Sequence, residues 1–458
     1  MALVMSVGGP SCRKTHEDAP AASAATGPNI LLICVDTLRP DHLGMYGYER
    51  DTSPRIDRWF KDGLVFENAY APEANTTPSV ISFLTGMWPQ DHGIRVLYQR
   101  VPKTLPLISN RLKKRGYRTA AVISNMVLTK EATALDAHFD YFDDYVADRD
   151  PNRPVYERKA DDTTTAALKW LVDDYEKKKP FFMYIHYIDP HGPYLPPENK
   201  PKTFTHDGAA PLDMSKVPDS QKREGEEDGL SYVDRYDEEI AFTDREVGRL
   251  LDGFKAKGAL DETVVVFVAD HGESMMEHET FFTHGYHVYE EIIRVPLAFI
   301  GPGFEKARVK ETVSIRDIAP TLLKAAGAAL SDDERKRVLD ESPGKRVIFS
   351  EATQKARQWR TMVRQERKWM LAINGETGNH EEKRFYDLSE DAHEASPSEW
   401  TEAQRADTKR FLRQVSRDPD KGGIPKKMRW GGRLKAPKVA PGLDDATMEK
   451  LKALGYVE

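Results

Sequence analysis

A cluster of ionisable residues, Asp270-His271-Gly272-Glu273, directly follows the apolar segment VVVFVA at 264–269. A second apolar segment, NILLICV at 29–35, also ends on an acid, Asp36. Short apolar segments rich in valine and isoleucine are typical of buried strands in a parallel sheet. Because ligands bind outside the carboxyl ends of such strands, we expect both groups of residues to lie at one site.

The residue types at these strand ends suit a divalent metal ion. Asp36, Asp270 and His271 offer two carboxylates and one imidazole. Hard oxygen ligands with one nitrogen favour Mn²⁺ or Zn²⁺, with Mg²⁺ and Ca²⁺ as alternatives. A single aspartate after a strand is more often only a helix cap. Two such strand ends together predict one bound ion.

The segment NTTPSVISFLTGM at 75–87 has the pattern of a helix start, since Pro78 suits the first turn and a preceding threonine suits the N-cap. On one interpretation Thr76 and Thr77 only cap this helix. On the other, Thr76 places a hydroxyl at a helix N-terminus, where backbone N–H groups favour an anion. A metal ion beside that hydroxyl would lower its pKa and make it a nucleophile. The local pattern leaves both interpretations open.

Two histidines followed by glycine complete the candidate site. His191 lies in HYIDPHGPY at 186–194, just past another apolar segment, and His284 follows Asp270 in the stretch Thr283-His284-Gly285. An isolated histidine is more often structural than catalytic. Two of them in loops near a metal cluster indicate groups that hold an oxyanion or protonate a leaving group. Binding a second metal ion is the alternative.

The elements that must position these residues alternate between strands and helices. Further strands are predicted at 118–124, 180–188 and 295–301, and helices at 167–178 and 236–257. This alternation predicts an α/β fold with a large, mostly parallel sheet flanked by helices. The polar segment 198–229 lacks periodicity and is interpreted as an insertion near the strand ends, in the position of a lid.

The pattern changes after residue 345. Four short strand-like segments with Asn374-Gly375 as a turn signal predict a small antiparallel sheet, followed by a helix at 400–415. The predicted divisions are a leader or linker at 1–27, a catalytic domain at 28–344, a C-terminal α+β subdomain at 345–416, and a tail with a terminal helix at 417–458.

Composition excludes several classes of protein. The chain has 458 residues and a net charge of −7, which carries no nucleic-acid-binding signature, and no apolar segment approaches the roughly 20 residues of a membrane span. Its cysteines, Cys12 and Cys34, are too few for a disulfide framework. The start MALVMSVGGPSC is similar to a lipoprotein signal without its basic region. We therefore expect a periplasmic or extracellular protein with Cys12 as a candidate lipid anchor, and a cytoplasmic one as the alternative.

Longer motifs carry a resemblance to the sulfatases, within the alkaline phosphatase superfamily. The similar stretches are PNILLICVDTLRPDHLGMYGY (28–48), TTPSVISFLTGMWPQDHGI (76–94), Asp270-His271-Gly272 and HGYHVYEEIIRVP (284–296). The resemblance implies a sulfatase-like fold, with Asp36, Asp270 and His271 as metal ligands. It further implies Thr76 as the nucleophile that also touches the metal, and His191 and His284 as groups that contact the substrate or its leaving group.

The chain departs from sulfatases at the nucleophile. Sulfatases carry Cys or Ser in a Cys-x-Pro-x-Arg signature and oxidise it to formylglycine, whereas this chain has Thr76 there and Val80 in place of the arginine. Threonine cannot give that aldehyde, so no formylglycine is expected. A threonine nucleophile with His-Gly-Pro, Asp-His-Gly-Glu-Ser and His-Gly motifs is similar to the phosphoethanolamine and phosphoglycerol transferases of the superfamily.

These departures decide the predicted chemistry. A formylglycine hydrate expels sulfate by returning to the aldehyde, and a threonine ester has no such exit. A phosphothreonine can be cleared by a second in-line attack at phosphorus. We therefore expect a metal-dependent hydrolase that cleaves small anionic esters, namely phosphate mono- or diesters or phosphonates, through Thr76. The alternatives are a sulfuric ester hydrolase proper and a degenerate sulfatase-like module that only binds an anion.

Overall fold

The computed structural model of the protein describes residues 27–146, 157–175, 179–197, 203–353 and 357–417. The predicted leader with Cys12, and the predicted tail helix, lie outside these residues. Within them, no helix is long and apolar enough to cross a membrane.

The centre of the molecule is a nine-stranded sheet with the strand order β4-β3-β5-β1-β6-β7-β2-β8, in which β9 also pairs with β2. Its strands are β1 Asn29–Val35, β2 Leu64–Tyr70, β3 Arg118–Ile123, β4 Tyr141–Asp143, β5 Phe181–Tyr187, β6 Thr263–Ala269, β7 Arg294–Ile300, β8 Ala307–Val309 and β9 Val313–Ser314. The central strand β1 runs parallel to both β5 and β6, whereas β7 runs antiparallel to β6 and β2. The predicted mostly parallel sheet is confirmed.

Helices cover both faces of this sheet, because every residue of β1, β5 and β6 is buried and buried parallel strands need cover on each side. One group of helices packs around α7, with α1 and α6 against it, and a second group joins α2, α4 and α9. The helices are α1 Pro54–Phe60, α2 Thr76–Thr85, α3 Pro89–His92, α4 Ile108–Lys113, α5 Lys130–Thr133, α6 Ala160–Asp173, α7 Gly229–Ala256, α8 Glu290–Ile293, α9 Ile318–Ala325, α10 Asp332–Arg335 and α11 Arg405–Arg417.

Two predicted helices have different bounds in the structure. Helix α6 begins at Ala160 rather than at residue 167, although Asp161, Asp162 and the following threonines are weak helix formers. The two aspartates lie in its first turn, where negative charge stabilises the helix dipole. Helix α7 begins at Gly229, after Asp228 caps it by accepting a hydrogen bond from the N–H of Leu230.

The predicted insertion lies close to the candidate site. Its described part, residues 203–229, contains a short turn of 3₁₀-helix at Asp219–Gln221. The side chain of Gln221 lies so close to Gly192 that a β-carbon there would clash with it. The insertion therefore packs against the loop that carries His191.

A second, four-stranded antiparallel sheet follows, in the order β10-β11-β12-β13, which confirms the prediction of a small C-terminal sheet. Its strands are β10 Ile348–Thr353, β11 Arg357–Arg364, β12 Arg367–Asn374 and β13 His380–Asp387. Helix α11 packs on it through Phe411 and Val415. Ser350 donates a hydrogen bond to the carbonyl of Ala71 at 2.6 Å, which fixes this sheet against the segment before α2. The division of the chain at residue 345 stays a prediction.

Candidate active site

The ends of two neighbouring strands bring the predicted carboxylates together. Val35 pairs with Ala269 in the parallel register of β1 and β6, so the residues that follow, Asp36 and Asp270, leave the sheet side by side. Both side chains are fully buried. The expectation that the two segments form one site is therefore met by the register of the sheet.

Thr76 is the first residue of α2, and neither threonine caps the helix, which corrects the capping interpretation. The residue before the helix is Asn75, and the hydroxyl of Thr77 donates instead to the carbonyl of Val127 at 3.0 Å. The Thr76 hydroxyl lies 3.2 Å from Nε2 of His271 and 3.5 Å from Oδ2 of Asp36. Asp36, Thr76, Asp270 and His271 are called the strand-end cluster below.

The strand-end cluster has the donor atoms that a divalent ion needs. Oδ1 of Asp36 and Oδ2 of Asp270 are buried and have no hydrogen-bond partner in the part of the chain that the structure describes. Nε2 of His271 lies 3.7 Å and 3.6 Å from these two oxygens. One ligand atom from each of Asp36, Asp270 and His271 lies within 4.8 Å of the other two. Buried carboxylate oxygens are costly unless paired or bound to metal, so the cluster fits a metal ion.

Two further side chains belong to this cluster, and the sequence did not assign them a role. His186 lies on β5, with its Nε2 3.7 Å from Oδ2 of Asp36 and 3.8 Å from Oδ2 of Asp270. Asn125 donates a hydrogen bond to Oδ2 of Asp36 at 2.6 Å. The sequence signal for His186 was a histidine inside an otherwise apolar strand. The signal for Asn125 was its place just after the end of β3, because the predicted carboxylates also follow strand ends.

The predicted histidines lie beside the cluster. The ring centroids of His191 and His284 are 5.0 Å apart, and those of His271 and His284 are 4.3 Å apart. Nδ1 of His284 lies 3.0 Å from Oε1 of Glu273, and Nδ1 of His191 lies 2.6 Å from the carbonyl of Gly192. These contacts fix the orientation of each ring.

Burial dominates the electrostatics of the site. It lowers the pKa of His271, His191 and His284 to about 4 each. The three imidazoles are therefore neutral near pH 7 and can accept a proton or bind a metal ion. Burial, followed by the charge of Asp270, raises the pKa of Asp36 well above its usual value.

The pKa of Asp270, the second carboxylate of the strand-end cluster, is shifted in the opposite direction from that of Asp36. Burial raises the pKa of Asp270, but the nearby imidazoles of His271 and His186 outweigh it and bring the pKa to about 2. Asp36 and Asp270, two carboxylates at one buried site, thus share charge unequally, as like charges in close contact must. Burial also raises the pKa of the neighbouring Glu273 to about 7.

Sequence comparison with known proteins finds relatives among the sulfatases. Arylsulfatase of Clostridium perfringens is 27% identical over 376 residues, covering 67% of this chain and 76% of that protein. An ulvan-active sulfatase of Formosa agariphila is 26% identical over 356 residues, covering 72% of this chain and 68% of the relative.

Solved structures share the same architecture. The phosphonate monoester hydrolase of Agrobacterium radiobacter superposes with a TM-score of 0.64 at 17% identity, covering 85% of this chain and 95% of that one. The family profile described as "Sulfatase" matches residues 28–328, which is more than half of the chain. The protein therefore belongs to the sulfatase family, whose members are metal-dependent ester hydrolases.

Proposed function

We propose that the protein hydrolyses small phospho-esters with a single negative charge, phosphate diesters or phosphonate monoesters, through Thr76 as the nucleophile. The observation that carries this proposal is the position of the Thr76 hydroxyl. It stands at the N-terminus of α2, 3.2 Å from His271 and 3.5 Å from Asp36. A helix N-terminus favours the anionic substrate, and a metal ion held by Asp36 and His271 would lower the pKa of the hydroxyl.

The reaction is a double displacement at phosphorus. The hydroxyl proton of Thr76 passes to a neighbouring neutral histidine, Oγ1 forms a bond to phosphorus as the bond to the ester oxygen breaks, and the departing alkoxide takes that proton from the histidine. Water then gives a proton to the histidine and attacks phosphorus in line, the bond to Oγ1 breaks, and Oγ1 takes the proton back, which regenerates Thr76. A sulfate ester of threonine would require the same second attack at sulfur, because threonine offers no aldehyde.

A divalent ion, Mn²⁺ or Zn²⁺, would be held by the strand-end cluster, with Asp36, Asp270 and His271 as ligands. When bound, it supplies a lower pKa for the hydroxyl and an opposite charge for the phosphoryl oxygens. Asn125 holds Asp36 in place through its 2.6 Å hydrogen bond. His186, next to both carboxylates, is an additional candidate ligand.

The charge of the site supports a substrate with one negative charge. Within the described residues, no lysine or arginine side chain forms an ion pair or hydrogen bond with Asp36, Thr76 or Asp270. Two carboxylates would offset the two charges of a divalent ion, and the adjoining imidazoles are neutral. Such a site gives little extra attraction to the second charge of a phosphate monoester.

His191 and His284 are proposed to contact the substrate. Glu273 occupies Nδ1 of His284, which leaves Nε2 to hold a non-bridging oxygen or to protonate the leaving group. Their neutral state favours hydrogen bonding over strong charge attraction. We propose a single metal ion at this site and a substrate role for these two histidines. A second ion is the alternative, because a metal-bound imidazole commonly donates its other N–H to a carboxylate or carbonyl such as those of Glu273 and Gly192.

The test is turnover of four chromogenic esters, a phosphate diester, a phosphonate monoester, a phosphate monoester and a sulfate ester, each with Mn²⁺ or Zn²⁺. We expect the first two to be cleaved fastest and an acid-quenched sample to show phosphorylated Thr76 by mass spectrometry. Cleavage of the sulfate ester alone would instead support a sulfatase proper, which the names of the sequence relatives favour. No cleavage of any ester would leave a module that only binds anions.

We also propose export, with Cys12 as the lipid-anchor residue, from the short apolar segment that precedes it. Cells that express the protein are labelled with a radioactive fatty acid. Label that disappears in a Cys12→Ala variant supports the anchor, whereas equal label in both proteins, or none, rules it out.

A further inference from the structure

A second group of histidines and glutamates lies where the loop after β6 and helix α8 meet the segment that follows β13 of the C-terminal sheet. Nε2 of His278 is 3.8 Å from Oε2 of Glu291, and Nδ1 of His287 is 3.9 Å from Oε1 of the same residue. Ligand atoms of His278, Glu291 and Glu394 lie within 4.8 Å of one another. These four residues are called the junction cluster: His278, His287, Glu291 and Glu394.

The junction cluster contains buried polar atoms without partners. His287 is 7% exposed, and among the described residues neither of its ring nitrogens has a hydrogen-bond partner. Oε1 of Glu291 is buried and equally unpartnered, and the Glu291 side chain is 7% exposed. Buried polar groups are nearly always satisfied in folded proteins. Two unsatisfied groups that face each other indicate a ligand between them.

The charges around the junction cluster are also unbalanced. The buried ammonium of Lys368 lies 3.0 Å from Glu290 and 2.9 Å from Glu394, so two carboxylates share one lysine. The nearby carboxylate of Glu277 is already paired with Arg39. Of the residues that the structure describes, those within ion-pair distance of Glu291 are the histidines His278 and His287. A buried excess of carboxylates must take up protons or bind further positive charge.

We propose that the junction cluster binds a second divalent metal ion, most suitably Zn²⁺, at a site separate from the strand-end cluster. Two imidazole nitrogens and two carboxylate oxygens match the ligands of a four-coordinate zinc site. Bond lengths near 2.0–2.1 Å place tetrahedral ligands about 3.4 Å apart. The distances of 3.8 and 3.9 Å require only a small approach of the side chains.

Such an ion would position the loop that carries His284. Loop residues 273–284 are closed by the pairing of Ser274 with Thr283, and the backbone of Gly272 donates to the carbonyl of Ile292 in α8 at 2.6 Å. Glu394 reaches the same helix by accepting a hydrogen bond from the N–H of Glu290 at 2.6 Å. With all four positions taken by protein groups, this site is structural rather than catalytic.

The test is the zinc content of full-length protein that has been stripped with a chelator, equilibrated with Zn²⁺ and desalted. We expect two equivalents in the wild type, one in Glu291→Gln, one in Asp270→Asn, and none in the double variant. His206→Gln is the matched control, because His206 also lies between two carboxylates, at 2.7 Å from Asp228 and 2.6 Å from Asp234, but is satisfied by them. It should keep two equivalents.

The outcomes separate this proposal from the proposed function. Zinc content in Glu291→Gln equal to that of the wild type, with the same result in His278→Gln, overturns the junction site. Unchanged content in Asp270→Asn counts against the strand-end site instead. Circular dichroism checks that each variant is folded, and His278→Gln serves if Glu291→Gln is not. X-ray absorption of the zinc retained by Asp270→Asn should show two imidazoles, and an absence of imidazole overturns the assignment.

Discussion

The strand-end cluster and the junction cluster use the same residue types in different settings. Both place two carboxylates beside buried imidazoles with unsatisfied polar atoms. The strand-end cluster adds the hydroxyl of Thr76 at a helix N-terminus, whereas the junction cluster adds the ammonium of Lys368. A hydroxyl at the edge of a metal site can attack a substrate, and a second cation beside one can only balance charge. Under the two proposals, the surroundings, more than the ligands, therefore separate the catalytic site from the structural one.

The largest effect is expected from removing the Thr76 hydroxyl, which the strand-end cluster has and the junction cluster lacks. Thr76→Ala removes the nucleophile while leaving a small, buried side chain, so we expect kcat/KM on the preferred ester to fall by at least about 10³-fold. Thr76→Ser keeps a hydroxyl and should stay within about tenfold of the wild type. Steady-state kinetics at saturating metal measures both.

Thr77→Ser is the matched control for this experiment, because the Thr77 hydroxyl donates to Val127 and does not reach the cluster. Its kcat/KM should stay close to the wild-type value. If Thr76→Ala keeps full activity while folded, Thr76 has no part in the reaction, and the comparison between the two clusters loses its main distinction.

Smaller effects are expected from replacing two histidines, His284 beside the strand-end cluster and His287 in the junction cluster. His284→Gln removes the imidazole that lies 4.3 Å from the His271 ring, and we expect kcat to fall about 10²-fold, the usual contribution of a group that transfers a proton. His287→Gln, in the junction cluster, should lower kcat by less than about tenfold. The same chromogenic assay compares the two. Equal losses would show that both clusters act in the chemistry.

The sequence revealed the strand-end cluster because a parallel sheet makes its site predictable. Apolar segments ended at Asp36 and Asp270, and a parallel register necessarily brings such ends together. His186 escaped notice because it lies within β5 and its side chain faces the cluster from inside the sheet. Strand β2 was also missed, since Glu67 and Asn68 interrupt its apolar pattern where the pairing with β7 shifts register.

The junction cluster could not be predicted from the sequence in the same way. Its ligands come from a turn, a loop, the short helix α8 and a segment after β13, and the last lies more than a hundred residues from the others. No periodicity links positions that only tertiary packing brings together. The resemblance to sulfatases assigned roles to residues of the strand-end cluster and assigned none to Glu394.

A third prediction measures the stabilising effect of each metal site. A ligand that binds only the folded state at a hundred times its dissociation constant stabilises it by about 2.7 kcal/mol. Zn²⁺ should therefore raise the melting temperature of chelator-treated Asp270→Asn protein, in which only the junction site remains. Adding Glu291→Gln to that variant should abolish the rise. A rise that persists in the double variant would mean that zinc binds elsewhere.

The smallest expected effect uses His92, a buried imidazole that belongs to neither cluster and has partners on both ring nitrogens. The hydroxyl of Ser82 donates to the carbonyl of Pro78, so the same oxygen accepts a hydrogen bond from Nε2 of His92 at 2.9 Å. Nδ1 of His92 accepts a hydrogen bond from the N–H of Ile94 at 3.1 Å. A second proton would have to displace the Ile94 hydrogen bond. Burial, and then the charge of Arg95, lower the pKa of His92 to about 3.

This shift fixes the direction of the pH dependence. In the unfolded chain the histidine takes up a proton as the pH falls through about 6.5, while in the folded chain it stays neutral down to about 3. The stabilisation is thus complete above pH 6.5 and is lost progressively below it. Between pH 7 and 5 the loss from this one group is about 2 kcal/mol. His92→Gln should be that much less sensitive to acid in urea unfolding, with unchanged turnover at pH 7. If its acid sensitivity matches that of the wild type, groups other than His92 set the response of the fold to acid.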